Sequence, residues 1–512
     1  MKVSRVVVTV AALVFLFLAW LWLLSDQIRQ MQVMFTYGAC LLLGITAFAW
    51  LAFTRQLPPL RRLVLASSII GLIALFFGLV RFRGVTGDWI PVVEWRWAKG
   101  VDWDSRQTSS ARLSSTSFAG EIDLTFPAAF SRFLGPTFNS SVSGLRLQRD
   151  WNATPPQEVW RQEIGGGLSG FAIADGIAYT LEQRDENEVV TAYELETGAQ
   201  LWLHTDETYF HNPVSAGPRT TPSVSQEHVF TLGATGILNA LDRHTGERRW
   251  RRDILEENGA RLPDHGMCGS PLLVDGLVIV SAGGSEGRSL VAYRQNDGTP
   301  AWSAGDDRAA YSSPVLASLA GERQIVVFNA SSVAGHAIAD GRVLWQHPWP
   351  SGYPNVAPPL VVGPDRVLFS TGYGIGAKMI RVRRTAAGGF GAELLWESPR
   401  MKAKFTNLVV HEGSIYGLDD GVLVCLDPET GERRWKRGRY GHGNILLVDD
   451  VLLLQTEKGE MVMIDPNPDE FREIGRFMAL PGKAWNHFAL VESYLLVRND
   501  QEAALWRLPE QG

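Results

Sequence analysis

Thr245-Gly246-Glu247-Arg248-Arg249-Trp250 returns letter for letter as Thr430-Gly431-Glu432-Arg433-Arg434-Trp435. Each copy follows an apolar run ending in aspartate, Leu238-Asn239-Ala240-Leu241-Asp242 and Leu423-Val424-Cys425-Leu426-Asp427. Looser versions run from Glu196-Thr197-Gly198 to Trp202, from Asp297-Gly298 to Trp302, and from Asp340-Gly341 to Trp345. A strand, a glycine turn and a second strand carrying Trp four residues after the Gly, repeated every ~40–50 residues, is the mark of a repeat fold. Asp242 and Asp427 suit such turns because a carboxylate accepts backbone N–H groups two residues on, and Gly tolerates positive φ. The Trp is expected to project from the outer strand into the wedge between neighbouring blades, as structural packing.

From Val159 onward, alternating apolar runs of five to eight residues are punctuated by Gly, Asp-Gly and Asn turns, which reads as β throughout. Inner strands are expected to begin near Phe171, Pro222, Pro271, Pro314, Pro359, Leu408, Ile445 and Phe488. The matching outer-strand aromatics are Trp160, Trp202, Trp250, Trp302, Trp345, Trp396, Trp435 and, with Phe in place of Trp, Phe477. Trp160 has no strands before it, and the block His487–Leu508 has no outer strand after it. Joining Val159–Ile164 to that last block completes an eighth sheet and closes a ring, leaving only short, protected edges. The fold class is therefore all-β, an eight-bladed propeller over residues 159–512 preceded by three transmembrane α-helices.

Those helices come first. Val6–Leu24, Met34–Phe53 and Leu63–Val80 are uncharged apolar runs of about bilayer-spanning length. Two further runs after the first argue for a retained anchor over residues 1–83 rather than a cleaved signal. Lys2 and Arg5 precede the first span, and Arg55, Arg61 and Arg62 lie between the second and third, so the positive-inside bias places the N-terminus in the cytoplasm. In a bacterium the rest is then periplasmic, anchored to the inner membrane. Eight Lys and Arg residues against Asp26 give residues 1–83 a charge of +7, so with −6 overall the remainder carries −13. An acidic exported domain is a poor partner for nucleic acid. The absence of ionisable residues within the spans argues against an ion path.

Residues 84–158 read as a linker. Trp89, Trp95, Trp97 and Trp103 suit either a membrane interface or packing on the side of the following domain, and the Ser/Thr-rich Ser105–Ser117 reads as a tether. Cys40, Cys268 and Cys425 exclude a disulfide framework. One bridge, Cys268–Cys425, is open to the chain, and two free thiols are expected instead.

The run Ala/Val-x-Leu-Asp-x-x-Thr-Gly-x-x-x-Trp resembles the PQQ-like β-propeller repeat over residues 159–508. That repeat occurs in quinoprotein dehydrogenases and in BamB-type assembly lipoproteins, both eight-bladed. The chain also looks like a bacterial group of membrane-anchored or exported PQQ-like repeat proteins, through Gly217-Pro218-Arg219-Thr220-Thr221-Pro222, Leu232-Gly233-Ala234-Thr235-Gly236, Tyr311-Ser312-Ser313-Pro314, Ser370-Thr371-Gly372-Tyr373-Gly374 and Phe133-Leu134-Gly135-Pro136. The resemblance speaks to fold more than activity, because the superfamily mixes enzymes with scaffolds.

For a quinoprotein, the resemblance implies PQQ, a Ca²⁺ site of Glu, Asn and Asp, a catalytic Asp and a Trp under the quinone. The soluble alcohol-oxidising kind adds paired cysteines. The chain has no Cys-Cys pair and no Cys-x-x-Cys-His haem motif, and no catalytic residue is assigned. Gly283-Gly284-Ser285-Glu286-Gly287 joins two strands and so is no nucleophile elbow, which needs a following helix. Loops leading into the inner strands should converge at one channel mouth. They carry Arg219, Asp264, His265, Tyr311, Tyr353, Lys404, Tyr440, His442, Lys483 and Trp485, either as a pocket for an anionic or planar ligand or as loop residues that seal the channel. His211 and His265 read as ordinary loop histidines rather than metal ligands. The function expected is a membrane-tethered binding or assembly scaffold for a periplasmic protein or small ligand, without turnover. The alternative is a PQQ- and Ca²⁺-dependent dehydrogenase passing electrons from a sugar or alcohol to membrane quinone.

Overall fold

The computed structural model describes residues 5–25, 27–97 and 130–511, in two compact units, Met1–Gly100 and Val101–Gly512. Trp103 and the expected tether Ser105–Ser117 lie outside the described residues.

In the first unit, α1 (Arg5–Leu23), α2 (Arg29–Phe53) and α3 (Pro59–Leu79) are each long and apolar enough to cross a bilayer. Polar side chains join the first two where backbone groups run out of helical partners. The Leu21 carbonyl accepts from Ser25 Oγ (2.6 Å) and from Gln32 Nε2 (3.0 Å), and Trp22 Nε1 donates to Thr36 Oγ1 (2.9 Å). α3 passes directly into a hairpin of Val80–Val85 with Pro91–Trp95.

Among the described residues of the second unit, eight sheets follow one another, each built on four antiparallel strands and one carrying a fifth. Inner strands are Ala172–Ala174, Ser223–Val224, Leu272–Val274, Val315–Leu319, Leu360–Val362, Val409–His411, Asn444–Val448 and Ala489–Val491, each within a residue or two of its sequence-based expectation. Middle strands such as Ile177–Arg184 and Leu277–Ser281 are buried on both faces and accordingly read as apolar runs. Outer strands alternate. In Arg248–Asp253, Trp250 is buried between exposed Arg249 and Arg251. The last sheet takes its outer strand from the beginning of the unit, with Glu502–Arg507 pairing Gln157–Glu163 in the register Glu502↔Glu163 and Leu505↔Trp160. The β reading did not anticipate one helical turn, Ile254–Glu257, which Asp253 caps by accepting from Leu255 N–H (3.2 Å) and Glu256 N–H (3.0 Å).

The repeated hexapeptide is a turn and a wedge. Asp242 Oδ1 accepts from His244 and Thr245 N–H, both at 3.0 Å, and Arg249 closes on Oδ2 at 2.7 Å. Asp427 does the same with Glu429, Thr430 and Arg434. Five of the Trp side chains lie on the turn glycine of the next sheet: Trp160 on Gly198, Trp202 on Gly246, Trp250 on Gly298, Trp302 on Gly341 and Trp396 on Gly431. A Cβ on Gly246, at φ +73°, would stand 2.5 Å from Trp202 Cε3, so only Gly fits. Trp160, Trp202, Trp250, Trp302, Trp396 and Trp435 each donate Nε1 to a carbonyl of the following sheet, at 2.8–3.0 Å. Trp345 departs from this pattern and donates to Gln324 Oε1 of its own sheet at 2.5 Å.

Residues 130–142, within the stretch read as a linker, instead pack against the inner strands. Ile173 N–H donates to the Phe130 carbonyl (3.0 Å) and Val224 N–H to that of Ser131 (2.9 Å). Arg132, Phe133, Leu134 and Phe138 face Ser270, Pro271, Ser313, Pro314 and Val315. Leu134 packs among Val315, Phe328 and Phe369, and Phe133 meets the His487 ring edge-on at 4.5 Å. Ser140 Oγ accepts from Asn407 Nδ2 (2.7 Å), its carbonyl accepts from Leu447 N–H (2.9 Å), and Ser141–Val142 adds a parallel strand to Asn444–Val448. Residues 130–142 thus reach strands or adjoining loops of successive sheets from Ile173 to His487.

Candidate functional site

A belt of short polar side chains ahead of the inner strands fixes the loops at one end of the sheets. From the first sheet to the second, Leu168 N–H donates to the Pro218 carbonyl at 2.8 Å. Thr221 N–H then donates to Ser270 Oγ, Ser270 N–H to Ser313 Oγ (both 2.9 Å), and Ser312 Oγ to the Ala357 carbonyl (3.3 Å). Ser370 Oγ donates to the Met401 carbonyl (2.8 Å), and Asn407 both donates to and accepts from Ile445 (2.6 and 2.9 Å). Asn444 Nδ2 donates to the Trp485 carbonyl (3.0 Å) and Asn486 Nδ2 to that of Ser169 (2.8 Å), returning the circuit to its start. Buried and largely satisfied, this belt holds the loops rigidly.

Above it the expected residues assemble in two arcs. In the first, Arg219 lies over the Phe210 ring (4.6 Å), donating from Nη2 to the Ser215 carbonyl (2.8 Å) and Asn212 Oδ1 (3.2 Å) and from Nη1 to the Gly217 carbonyl. Asn212 Nδ2 meets His265 Nδ1 at 3.0 Å, and the His265 ring meets that of Tyr311 at 5.2 Å. Asn212 thus ties the His265 loop to its own, while His211 stacks on Tyr209 (6.4 Å) and makes no bond to His265 among the described residues. Asp264 is exposed, and its carbonyl accepts from Asn212 Nδ2 (3.2 Å). In the second arc, Tyr353 stacks on Tyr373 (5.3 Å, 6°) and Lys404 Nζ lies 4.9 Å from the Tyr373 centroid. Phe405 packs on His442 (5.0 Å) and Trp485 (4.6 Å), and Trp485 Nε1 donates to Glu457 Oε1 (2.9 Å). Lys483 joins the arcs. Its Nζ lies 4.5 Å from the Trp485 centroid and donates to the Val214 carbonyl (2.9 Å) in the Arg219 loop.

Tyr440 does not join them. It is buried toward the outside of its sheet, donating to Glu473 Oε2 (2.7 Å) on the outer strand Arg472–Met478, and that bond and its burial push its phenol far above the ordinary range. Loop position alone does not give a side chain's direction. Phe210, Tyr373 and Phe405 were missed, although Tyr373 lies within Ser370–Gly374 and Phe405 adjoins Lys404.

Electrostatically, the loops carry buried or half-buried cations. Burial lowers the pKa of Arg219 and Lys483, and burial followed by the Arg219 charge lowers that of His265, keeping its ring neutral near pH 7. Burial also pushes the Cys268 thiol up to about 11, despite Arg219. Cys268 and Cys425 are free, not bridged, and the Cys268 thiol is inert at neutral pH. Behind Arg219, Glu188 is buried, accepts from Ala234 N–H at 3.0 Å, and is raised to about 7 chiefly by burial. Fixed cations beside ring faces suit a planar or carboxylated anion. The same cations suit the acid groups of a carboxylated quinone, whereas they oppose a calcium ion beside it.

A family profile described as outer membrane protein assembly factor BamB matches residues 149–253 and 186–437. The BamB of Yersinia pestis is 24% identical over 375 residues, covering 67% of this chain and 86% of that protein. That of Xanthomonas campestris pv. campestris is 34% identical over 89 residues, 17% of this chain and 21% of the other. Among solved structures, BamB from Moraxella catarrhalis superposes with a TM-score of 0.52 at 14% identity, covering 70% of this chain and 99% of its own. A europium-containing methanol dehydrogenase superposes with 0.54 at 13%, covering 76% and 99%. At such identities the structural likeness speaks to the propeller fold alone.

Proposed function

The chain belongs to the family of outer membrane protein assembly factor BamB, and on that premise we propose that it is a membrane-anchored scaffold whose propeller mouth captures an acidic segment of a partner protein. In this reading the eight sheets are eight blades of one closed ring. The three helices hold it at the bacterial inner membrane, with the N-terminus cytoplasmic and the ring periplasmic. The observation that supports the reading is the run of contacts from Lys404 through Phe405 and Trp485 to Lys483, which donates to the Val214 carbonyl in the Arg219 loop. A run of cations and ring faces of this kind suits gripping an acidic segment laid against it. Its cations also stand out against the −13 carried beyond residue 83, so an acidic segment is steered to this one place.

The test is a photo-crosslinking amino acid at Tyr353, which is exposed on the rim. Irradiated envelopes should give one discrete protein adduct, lost in the Arg219→Gln/Lys483→Gln double variant. The PQQ-dependent dehydrogenase reading shares the same cations and stacking rings. Purified protein supplied with PQQ and Ca²⁺ and assayed for alcohol- or sugar-dependent dye reduction separates the two. Turnover without any adduct would overturn the scaffold.

A further inference from the structure

Among the described residues, the hairpin that follows α3 leaves most of one apolar face exposed, Val80 being buried. Its register pairs Val80 with Trp95, Arg81 with Glu94 and Phe82 with Val93. Alternation then places Phe82, Pro91, Val93 and Trp95 together on one side, and Arg81 and Glu94 on the other, bridged at 3.4 Å. Phe82 is 59%, Val93 45% and Trp95 53% exposed. Trp97, 66% exposed, stacks on Trp95 at 5.0 Å and 12°, and the turn adds exposed Trp89 and Ile90. Two strands cannot bury such a face by themselves, and a patch of this kind marks a contact surface.

Both ends of the hairpin are tied to helix ends. At the near end, Arg96 N–H donates to the Leu79 carbonyl (2.9 Å), and its guanidinium donates to the carbonyls of Val80 (3.1 Å) and Phe77 (3.3 Å). A cation thus caps the C-terminus of α3, where the helix dipole favours it. At the far end, Asp88 Oδ2 meets Arg29 Nε at 3.1 Å, and Arg29 is the first residue of α2. The short connection Thr54–Pro58 makes α2 and α3 run in opposite directions, so the start of α2 and the end of α3 lie at the same end of the bundle. The hairpin therefore lies across the helix ends and does not project from them.

We propose that this hairpin is an interfacial membrane-binding element. Its Phe82–Val93–Trp95–Trp97 face is laid into the headgroup–acyl boundary of the leaflet in which α3 ends. The occupant follows from continuity, because no residue separates Leu79, the last of an apolar bilayer-length helix, from Val80. If α3 spans, the hairpin starts at the membrane surface. Its chemistry agrees, since Trp is favoured at that depth and apolar faces with basic residues beside them bind there. The inference rests on the reading of α1–α3 as membrane spans.

The test uses the full chain in phosphatidylethanolamine/phosphatidylglycerol vesicles, with Cys40→Ser and nitroxide labels placed singly at Leu72→Cys, Val92→Cys and Val93→Cys. Cys425 is buried and the Cys268 thiol is held protonated by burial, so neither competes for the label. Accessibility to oxygen and to a water-soluble nickel chelate is read at each label. The expected result is the acyl-core signature at 72 and an oxygen-to-nickel ratio at 93 several-fold above that at 92. Core depth at 72 with equal, nickel-accessible signals at 92 and 93 overturns the hairpin proposal and leaves the spans standing. Shielding of 93 from both reagents means protein covers the face and also overturns it. A nickel-accessible label at 72 overturns the reading of the spans themselves.

Discussion

Arg498 and Leu181 stand at opposite ends of the β unit, and Nη1 of the first donates to the carbonyl of the second at 3.0 Å. The same guanidinium reaches Thr180 Oγ1 (2.5 Å) and, through Nη2, the Gly165 carbonyl (2.9 Å), while lying 5.8 Å from the centre of the Phe171 ring. Ring closure thus has a polar lock beside the strand exchange at Gln157–Glu163. The buried Glu182 nearby belongs to it. Burial raises its pKa, but Arg184 and Arg498 more than offset this and hold it below the ordinary range. Replacing Arg498 by Met should cost on the order of 3–5 kcal/mol, because it strands buried acceptors and part of the charge balance of Glu182. Denaturant unfolding checks this, and Arg498→Lys, lacking the fork, should restore little.

Glycines at equal φ should behave unequally. Gly276→Ala meets nothing within 4 Å at φ +77°, so backbone strain alone applies, about 1–2 kcal/mol. Gly246→Ala adds a clash with Trp202 and should lose ~3 kcal/mol or more, because the wedge must shift. Comparable losses in thermal melts of the two variants would mean that the Trp does not depend on its glycine seat.

Glu188 makes stability fall as pH rises. Its carboxyl is raised from 4.5 to about 7, so the unfolded chain loses the proton first. Its contribution is complete below pH ~4.5 and lost as pH rises through ~7, on the order of 3 kcal/mol in all. Glu188→Gln keeps an acceptor for Ala234 N–H and should flatten that slope. Unfolding midpoints of both proteins across this window give the comparison, and parallel curves would refute it.

Leu134→Asp places a charge among Val315, Phe328 and Phe369, a site without room for its hydration. A loss of about 3 kcal/mol or more is expected. New protease cleavage between residues 130 and 142 should accompany it. If the variant melts early yet stays uncut there, the segment is not what the substitution released.

Sequence and structure agree where the physics is local. Four sheets announce themselves through a turn aspartate, a glycine and a Trp held within a dozen residues (Asp242 to Trp250, Asp297 to Trp302, Asp340 to Trp345, Asp427 to Trp435), and the closing strand through the imbalance between Trp160 and the block ending at Leu508. Residues 130–142 carry no such periodicity, because their partners, from Ile173 to His487, are tens to hundreds of positions away. At the mouth, spacing identifies the loops but not the aim of a side chain. Lys404 and Trp485 turn inward, while Tyr440 turns out to Glu473. Arg498, a lone charge closing the apolar strand Tyr494–Arg498, was a visible signal with no local partner to explain it.

The chain does not enter the described β unit at an outer strand, where traction would unzip one ladder bond at a time. It enters through Phe130–Val142, which is anchored to strands or adjoining loops of successive sheets. Tension on this segment would therefore be shared among several sheets at once. A segment that looks like slack between two domains is the axle on which the ring is mounted.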